Sequence, residues 1–287
     1  MKRDILTFID ENMSGFSKGQ KKIASYIKEH YDKAAFMTAA KMGQAVGVSE
    51  STVVRFVIEF GFEGYPDFQR ALRELVRTKL TSVQRVEVTN NLIGDSDVLD
   101  KVLVSDIDKI KRTADGIDKT SFAAAVKHIS YAKNIYIIGM RASSYLAGFL
   151  NYSLRMIFDN VRMIQTTSGS EIFEQIMSIG EGDVLVAVSF PRYSKTIIKG
   201  VEYAKSRGAN VIALTDSRES PIAAGADELL VAQSDMASFA DSLVAPMSVI
   251  NALIVAVSRE RGDLLSDRLH KLEAVWDEYN VYDKTGG

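Results

Sequence analysis

Apolar residues in this chain follow two rhythms, and the change from one to the other divides it. Up to about residue 77 they recur at helical spacing. Ser17-Lys18-Gly19-Gln20 has the spacing of a capping box and opens a helix with Ile23, Ala24, Ile27 and Tyr31 on one face. Lys18, Lys21, Lys22 and Lys28 lie mostly off that face. Thr38 is placed to cap the next helix, which carries Lys41 and Gln44 and ends at Gly47. A third helix spans about residues 50 to 60 and stops at Gly61, with Val53, Phe56, Val57 and Phe60 as core. Pro66 suits the first turn of a fourth, which turns Phe68, Leu72, Leu75 and Val76 inward and carries Arg70 and Arg73. The pattern predicts an all-α head of four or five short helices over residues 1–77.

Across 78–96 the periodicity fades, and Thr89-Asn90-Asn91 and Gly94-Asp95-Ser96 are turn-like, which predicts a linker. Helices are expected over 97–117 and 120–132. Beyond them, strand-like runs at 134–139, 161–165, 183–189, 210–215 and 228–232 are interleaved with helical segments at 143–158, 170–179 and 195–207. Such alternation predicts an α/β domain over 97–287, with a five-stranded parallel sheet flanked by helices. The longest apolar region, from Phe239 to Val257, is broken by Asp241, Ser242, Ser248 and Asn251, so it is expected as a core helix rather than a membrane span. An amphipathic helix over 264–279 carries Leu272, Val275, Trp276 and Tyr279 as a stripe suited to packing or a subunit contact.

Composition agrees with two globular domains: 287 residues, 46% hydrophobic and 25% charged. The absence of cysteine excludes disulfides and thiolate chemistry, and the opening Met1-Lys2-Arg3-Asp4 carries no signal peptide, so the expectation is a cytoplasmic protein. Net charge is −2, yet residues 1–80 hold thirteen Lys and Arg against ten Asp and Glu, while the remainder is acidic. That asymmetry suits a small DNA-contacting head on an acidic body. His30, His128 and His270 have no neighbours that suggest a metal pair; no metal, cofactor or catalytic set is expected.

Within the head, apolar Met42, Val46, Val48, Val53 and Phe56 flank a tight turn at Gly47, and Gly43 is small enough for two helices to cross closely. Gly47 takes a left-handed conformation without a Cβ penalty, and Ser49 is a good N-cap. This is the spacing of a helix-turn-helix, whose second helix enters the DNA major groove; an ordinary helical hairpin is the alternative. The N-terminal residues of that helix, Glu50, Ser51, Thr52 and Arg55, are then placed to reach base edges. Arg55 suits a guanine or a phosphate, while Lys41, Gln44, Ser49 and Tyr65 suit phosphates.

In the α/β domain, ligands belong at the carboxyl ends of strands, and two such ends are hydroxyl-rich. They are Gly139-Met140-Arg141-Ala142-Ser143-Ser144 and Ser189-Phe190-Pro191-Arg192-Tyr193-Ser194. Arg141, Ser143, Ser144, Ser189, Arg192 and Ser194, with free backbone N–H groups at the helix starts, suit an anion, a phosphate above all. Plain helix capping is the alternative for either loop.

The order of parts resembles the RpiR-type bacterial transcription regulators over nearly the whole chain. The most specific match is Gly47-Val48-Ser49-Glu50-Ser51-Thr52-Val53-Val54-Arg55-Phe56 followed by Phe60-Gly61-Phe62-Glu63-Gly64-Tyr65-Pro66-Asp67-Phe68. Gly139 to Ser143 resembles the first phosphosugar loop of the sugar isomerase (SIS) fold, with Arg141 in place of its second glycine. In the second loop Pro191 and Arg192 replace the usual Ser-Gly, and Pro191 removes a hydroxyl and an N–H together. The resemblance implies a regulator of carbohydrate metabolism whose binding to a double-stranded DNA operator is modulated by a phosphosugar in the SIS domain. Symmetric pairing through that domain implies a homodimer or homotetramer, with no membrane partner. The alternatives are an aldose–ketose phosphate isomerase using Glu171 or Glu174 as base, and a phosphosugar sensor acting on a protein.

Overall fold

The computed structural model describes residues 5–79, 81–93, 97–165, 170–235 and 240–282. It divides into two compact units: Met1–Val98 with Met236–Asp241, and Leu99–Asp235 with Ser242–Gly287.

The first unit is helical: α1 (Ile5–Asn12), a 3-10 turn (Met13–Gly15), α2 (Lys18–Ala34), α3 (Ala39–Val46), α4 (Glu50–Glu59), α5 (Tyr65–Lys79) and α6 (Ser82–Ile93). The expected caps are in place. Ser17 and Gln20 form a reciprocal capping box at α2, Thr38 accepts the Lys41 N–H, and Ser49 accepts the Thr52 N–H. Ile23, Ile27, Met42, Val53, Phe56, Val57, Phe68 and Leu72 are all at most 1% exposed and fill one core, with Phe60 partly buried beside them. Helix α1, which the periodicity did not single out, joins it through Ile5 and Ile9, one turn apart.

The stretch expected as a linker holds α6 over most of its length, so Thr89-Asn90-Asn91 lies inside a helix rather than a turn; Gly94-Asp95-Ser96 lies outside the described residues. The local cause is a capping box. Thr81 Oγ1 accepts the Gln84 N–H and Gln84 Oε1 accepts the Thr81 N–H, which satisfies helix-start donors despite weak helix formers downstream.

Gly43 fixes the crossing of α3 and α4. A β-carbon there would sit 2.8 Å from the Val48 carbonyl oxygen, closer than backbone and side chain ever stand. The Gly47 amide donates to Gly43 O, and Gly47 itself has φ 70°, so the turn closes in the left-handed region.

The second unit opens with α7 (Val98–Gly116) and α8 (Lys119–Ser130), the latter capped by Asp118. Then β1 (Ile135–Gly139), α9 (Ser143–Arg155), β2 (Val161–Ile164), α10 (Glu171–Ile176), β3 (Val184–Val188), α11 (Lys195–Ser206), β4 (Asn210–Thr215) and β5 (Glu228–Val231) follow. All strand pairs are parallel, in the order β2-β1-β3-β4-β5. β1 and β3 are buried along their whole length because both sheet faces are covered. One face packs Ile135, Ile137, Val184 and Val186 against α8, α9 and α12 (Val244–Glu260). The other packs Tyr136, Ile138, Leu185 and Ala187 against α10 and α11. Ala245, Val249, Ile250, Leu253 and Val257 make α12 the expected core helix, and none of the described helices is long and apolar enough to cross a membrane. The chain closes with α13 (Gly262–Glu278), which buries none of its residues; Trp276 meets Tyr282 edge-on.

Two outcomes follow for the head. Gly43→Ala forces α3 and α4 apart and is expected to cost about 1–3 kcal/mol, read as a lower Tm in circular dichroism. Tyr65, on α5, is buried, and that burial pushes its hydroxyl pKa up to about 12 from an ordinary 10. The folded state therefore holds the proton more tightly. This contribution to stability is fully present below pH 10 and is lost as pH rises toward about 12. Urea denaturation across that window should show the loss in the wild type, and Tyr65→Phe should remove it.

Candidate functional site

In the head, the turn between α3 and α4 leaves the start of α4 at the surface. Ser49 Oγ lies 2.9 Å from Ser51 Oγ and 2.8 Å from Thr52 Oγ1, so three hydroxyls share protons there. Glu50, Ser51 and Arg55 are exposed, Thr52 is half-buried, and Arg55 has no ion-pair partner among the described residues. Lys41 and Gln44 are exposed on α3. These residues are thus exposed or half-buried on the two helices that the turn joins.

Tyr65 does not join them. It is 9% exposed, and its hydroxyl donates to the Met37 carbonyl at 2.9 Å, which also accepts from Gln69 Nε2. Its ring rests near Phe68. The expectation of a phosphate contact is corrected: a tyrosine at the start of α5 ties that helix to the chain before α3, and burial takes it out of reach of a duplex.

In the sheet, the helices after β1 and β3 leave on opposite faces: α9 packs with the Ile137 face and α11 with the Ile138 face. Gly139 pairs with Val188 across the two strands, so both loops emerge side by side at a topological switch point, where open α/β sheets bind ligands. Gly139 permits the turn into α9. A β-carbon there would lie 2.4 Å from Ser143 O and 2.8 Å from the Ala147 β-carbon.

The first loop differs in detail from the expectation of free amides. The N–H groups of Ser143, Ser144 and Tyr145 donate to the carbonyls of Met140, Arg141 and Ala142, and Ser144 Oγ donates to Arg141 O at 2.6 Å. What remains open are the amides of Arg141 and Ala142, which have no acceptor among the described residues. Arg141 has φ 56° and Ala142 follows in the right-handed region, a succession that turns adjacent N–H groups toward a common point. The Arg141 side chain is exposed and Ser143 is 6% exposed at the base of the turn.

The second loop keeps its helix-start donors. Ser194 precedes α11 without capping it, and the amides of Lys195, Thr196 and Ile197 have no acceptor among the described residues. The Ser194 hydroxyl donates to Met140 Sδ at 3.3 Å, which brings the two loops into contact. Ser189 is 2% exposed directly after β3, and Arg192 is exposed. The capped helices α2, α3, α4 and α8 contrast with α9 and α11, where the serines serve no cap. The serines of these loops therefore do not cap α9 or α11 in this structure.

Two groups at this site escaped the sequence reading. Tyr193 donates to both carboxylate oxygens of Asp216, at 3.0 and 3.1 Å, and Asp216 is buried at the end of β4. Thr215 Oγ1 lies within hydrogen-bond distance of Asp216 and Ser220. The available signal was a carboxylate directly after the apolar run of β4, at the same carboxyl edge of the sheet. Glu171 and Glu174 stand in the first turn of α10, Glu171 half-buried and Glu174 exposed. The three histidines lie on α2, α8 and α13, and the described residues contain no cluster suited to a metal.

Comparison with known proteins agrees with both halves. Residues 3–79 match the helix-turn-helix domain of the rpiR family and residues 128–256 match the SIS domain. The HTH-type transcriptional regulator HexR of Escherichia coli is 25% identical over 98% of this chain and 96% of its own. An HTH-type transcriptional regulator of Clostridium perfringens is 28% identical over 72% of this chain and 73% of its own. The Vibrio vulnificus NanR structure, complexed with ManNAc-6P, is 26% identical with a TM-score of 0.60, covering 96% of this chain and 98% of that one. The sugar isomerase domain of an RpiR transcription factor from Sphaerobacter thermophilus is 25% identical with a TM-score of 0.58, covering 61% of this chain and 97% of that one. With an rpiR-family helix-turn-helix over residues 3–79 and a SIS domain over residues 128–256, the chain belongs to the RpiR family of transcriptional regulators.

Proposed function

We propose that a phosphosugar binds between the carboxyl ends of β1 and β3 and sets how firmly the head holds a double-stranded DNA operator. The observation that carries this is the pairing of two uncapped, serine- and arginine-bearing loops at the switch point. Arg141, Arg192 and the open amides supply positive charge and donors for a phosphate; Ser143, Ser189 and Ser194 supply hydroxyls. The NanR structure with ManNAc-6P supports the ligand class. Ser144 contributes through its oxygen only, since its proton is given to Arg141 O.

The protein acts on DNA as a cytoplasmic regulator and not as an enzyme. Supporting this, Pro191 takes an N–H and a hydroxyl out of the second loop, and Glu171 and Glu174 sit where helix-dipole partners sit. On the head, Lys41, Gln44, Ser49, Glu50, Ser51, Thr52 and Arg55 make the DNA contacts. The working form is a homodimer or homotetramer, whose two-fold symmetry matches a near-palindromic operator with half-sites about one helical turn apart or a multiple. Ligand and operator are linked: a phosphosugar that alters DNA affinity must itself bind free and DNA-bound protein differently.

Fluorescence anisotropy on operator DNA with a panel of phosphosugars tests the switch. One member should change the affinity, and Ser143→Ala with Ser189→Ala should abolish that change while leaving ligand-free DNA binding intact. A protein that binds phosphosugars with no effect on DNA affinity would remove the switch. Arg55→Ala is expected to weaken operator binding by about 1–3 kcal/mol and to relax preference at one base pair if it reads a base; uniform weakening on every sequence assigns it to phosphate.

A further inference from the structure

Three cations of the head are held by partners within it. Lys28 pairs with Asp10, Arg70 pairs with Asp67, and Arg73 donates to Ala35 O and Gln69 Oε1. Lys18, Lys21 and Lys22 have no ion-pair partner among the described residues, and all are exposed. They crowd the first turns of α2, which carries no acidic residue there. The helix dipole favours acids at that end, so three lysines stand against the local electrostatic preference. Fold stability does not account for them.

Their surroundings do. The N-terminal turn of α2 lies against the start of α4, though the two are more than thirty residues apart in sequence. A β-carbon on Gly19 would be 3.6 Å from Thr52 Cγ2 and 3.7 Å from Val48 Cγ1. Lys22 Nζ stands 3.7 Å from where a β-carbon on Gly47 would be, beside the turn itself. Gln20 bonds Glu59 at the far end of α4, which engages that carboxylate on the α2 side. The lysines line an open groove of about 750 Å³ between α2 and the C-terminal end of α3, with Glu29 at its other end.

We propose that Lys18, Lys21 and Lys22 form a second DNA contact, gripping the phosphate backbone that borders the groove entered by α4. The partner is the sugar-phosphate backbone of duplex DNA, read without regard to sequence. This rests on the DNA-binding reading of the head and adds a flanking clamp outside the helix-turn-helix. The clamp fixes the height and tilt of α4, while Arg55 and the hydroxyls at the start of α4 supply discrimination.

The test uses the full chain and a duplex that the wild type selects from a random-sequence pool, with a scrambled duplex beside it. Affinities are measured against KCl concentration for the wild type, for Lys18→Gln/Lys21→Gln/Lys22→Gln, and for the Lys→Arg triple. Each lost phosphate contact lowers the slope of log affinity against log salt by about 0.9. The Gln triple should therefore lose about 2–3 slope units per head, weaken on both duplexes alike, and keep the selected-to-scrambled ratio. The Arg triple should retain the wild-type slope. A wild-type slope in a folded Gln triple overturns the clamp alone, and so does loss confined to the selected duplex. A wild type that binds no duplex overturns the DNA-binding reading and the clamp together.

Discussion

Backbone approaching backbone more closely than a β-carbon permits is the constraint on which both working ends of this molecule depend. At Gly43 the missing side chain lets α3 meet the Val48 carbonyl, where a β-carbon would stand 2.8 Å from it, and so sets the angle at which α4 leaves the head. At Gly139 it lets the chain turn from β1 straight into α9, with the Ser143 carbonyl where a side chain would have been. In each place a rigid core stands behind the glycine: Met42, Val53 and Phe56 in the head, and Leu146, Ala147 and Leu150 in the sheet domain. Tight cores transmit such geometry because they do not deform gradually. The position of α4 and the shape of the first loop are therefore set by packing, not by the polar residues that they carry.

Much of this was legible in the chain because the determinants are local. A capping serine three residues before a glutamine, a threonine before a short amphipathic run, and a glycine between two apolar clusters fix α2, α3 and α4 without distant help. The alternation of β-branched runs with amphipathic segments gave the parallel sheet, since strands buried on both faces have little room for polar residues. The switch point needed one further fact, the strand order, which spacing alone does not contain.

What stayed hidden depended on contacts between distant residues. Tyr65 looked like a surface residue after Gly64, yet its partner is a carbonyl 28 positions earlier. The Tyr193–Asp216 bond joins residues 23 apart that meet only once β3 and β4 are paired. Helix α6 was masked by residues with low intrinsic helicity; its box of Thr81 and Gln84 outweighed them. The lysines of α2 were visible as a group, but their nearness to Thr52 and Gly47 was not.

The shared protons of Ser49, Ser51 and Thr52 carry a consequence for how this head diverges from its relatives. Because each hydroxyl leans on another, replacing one rearranges the donors and acceptors that the others offer. Substitutions at these three positions are therefore coupled. Glu50 and Arg55, exposed on the first and second turns of α4, take no part in that cluster, so substitutions there leave the three hydroxyls as they are.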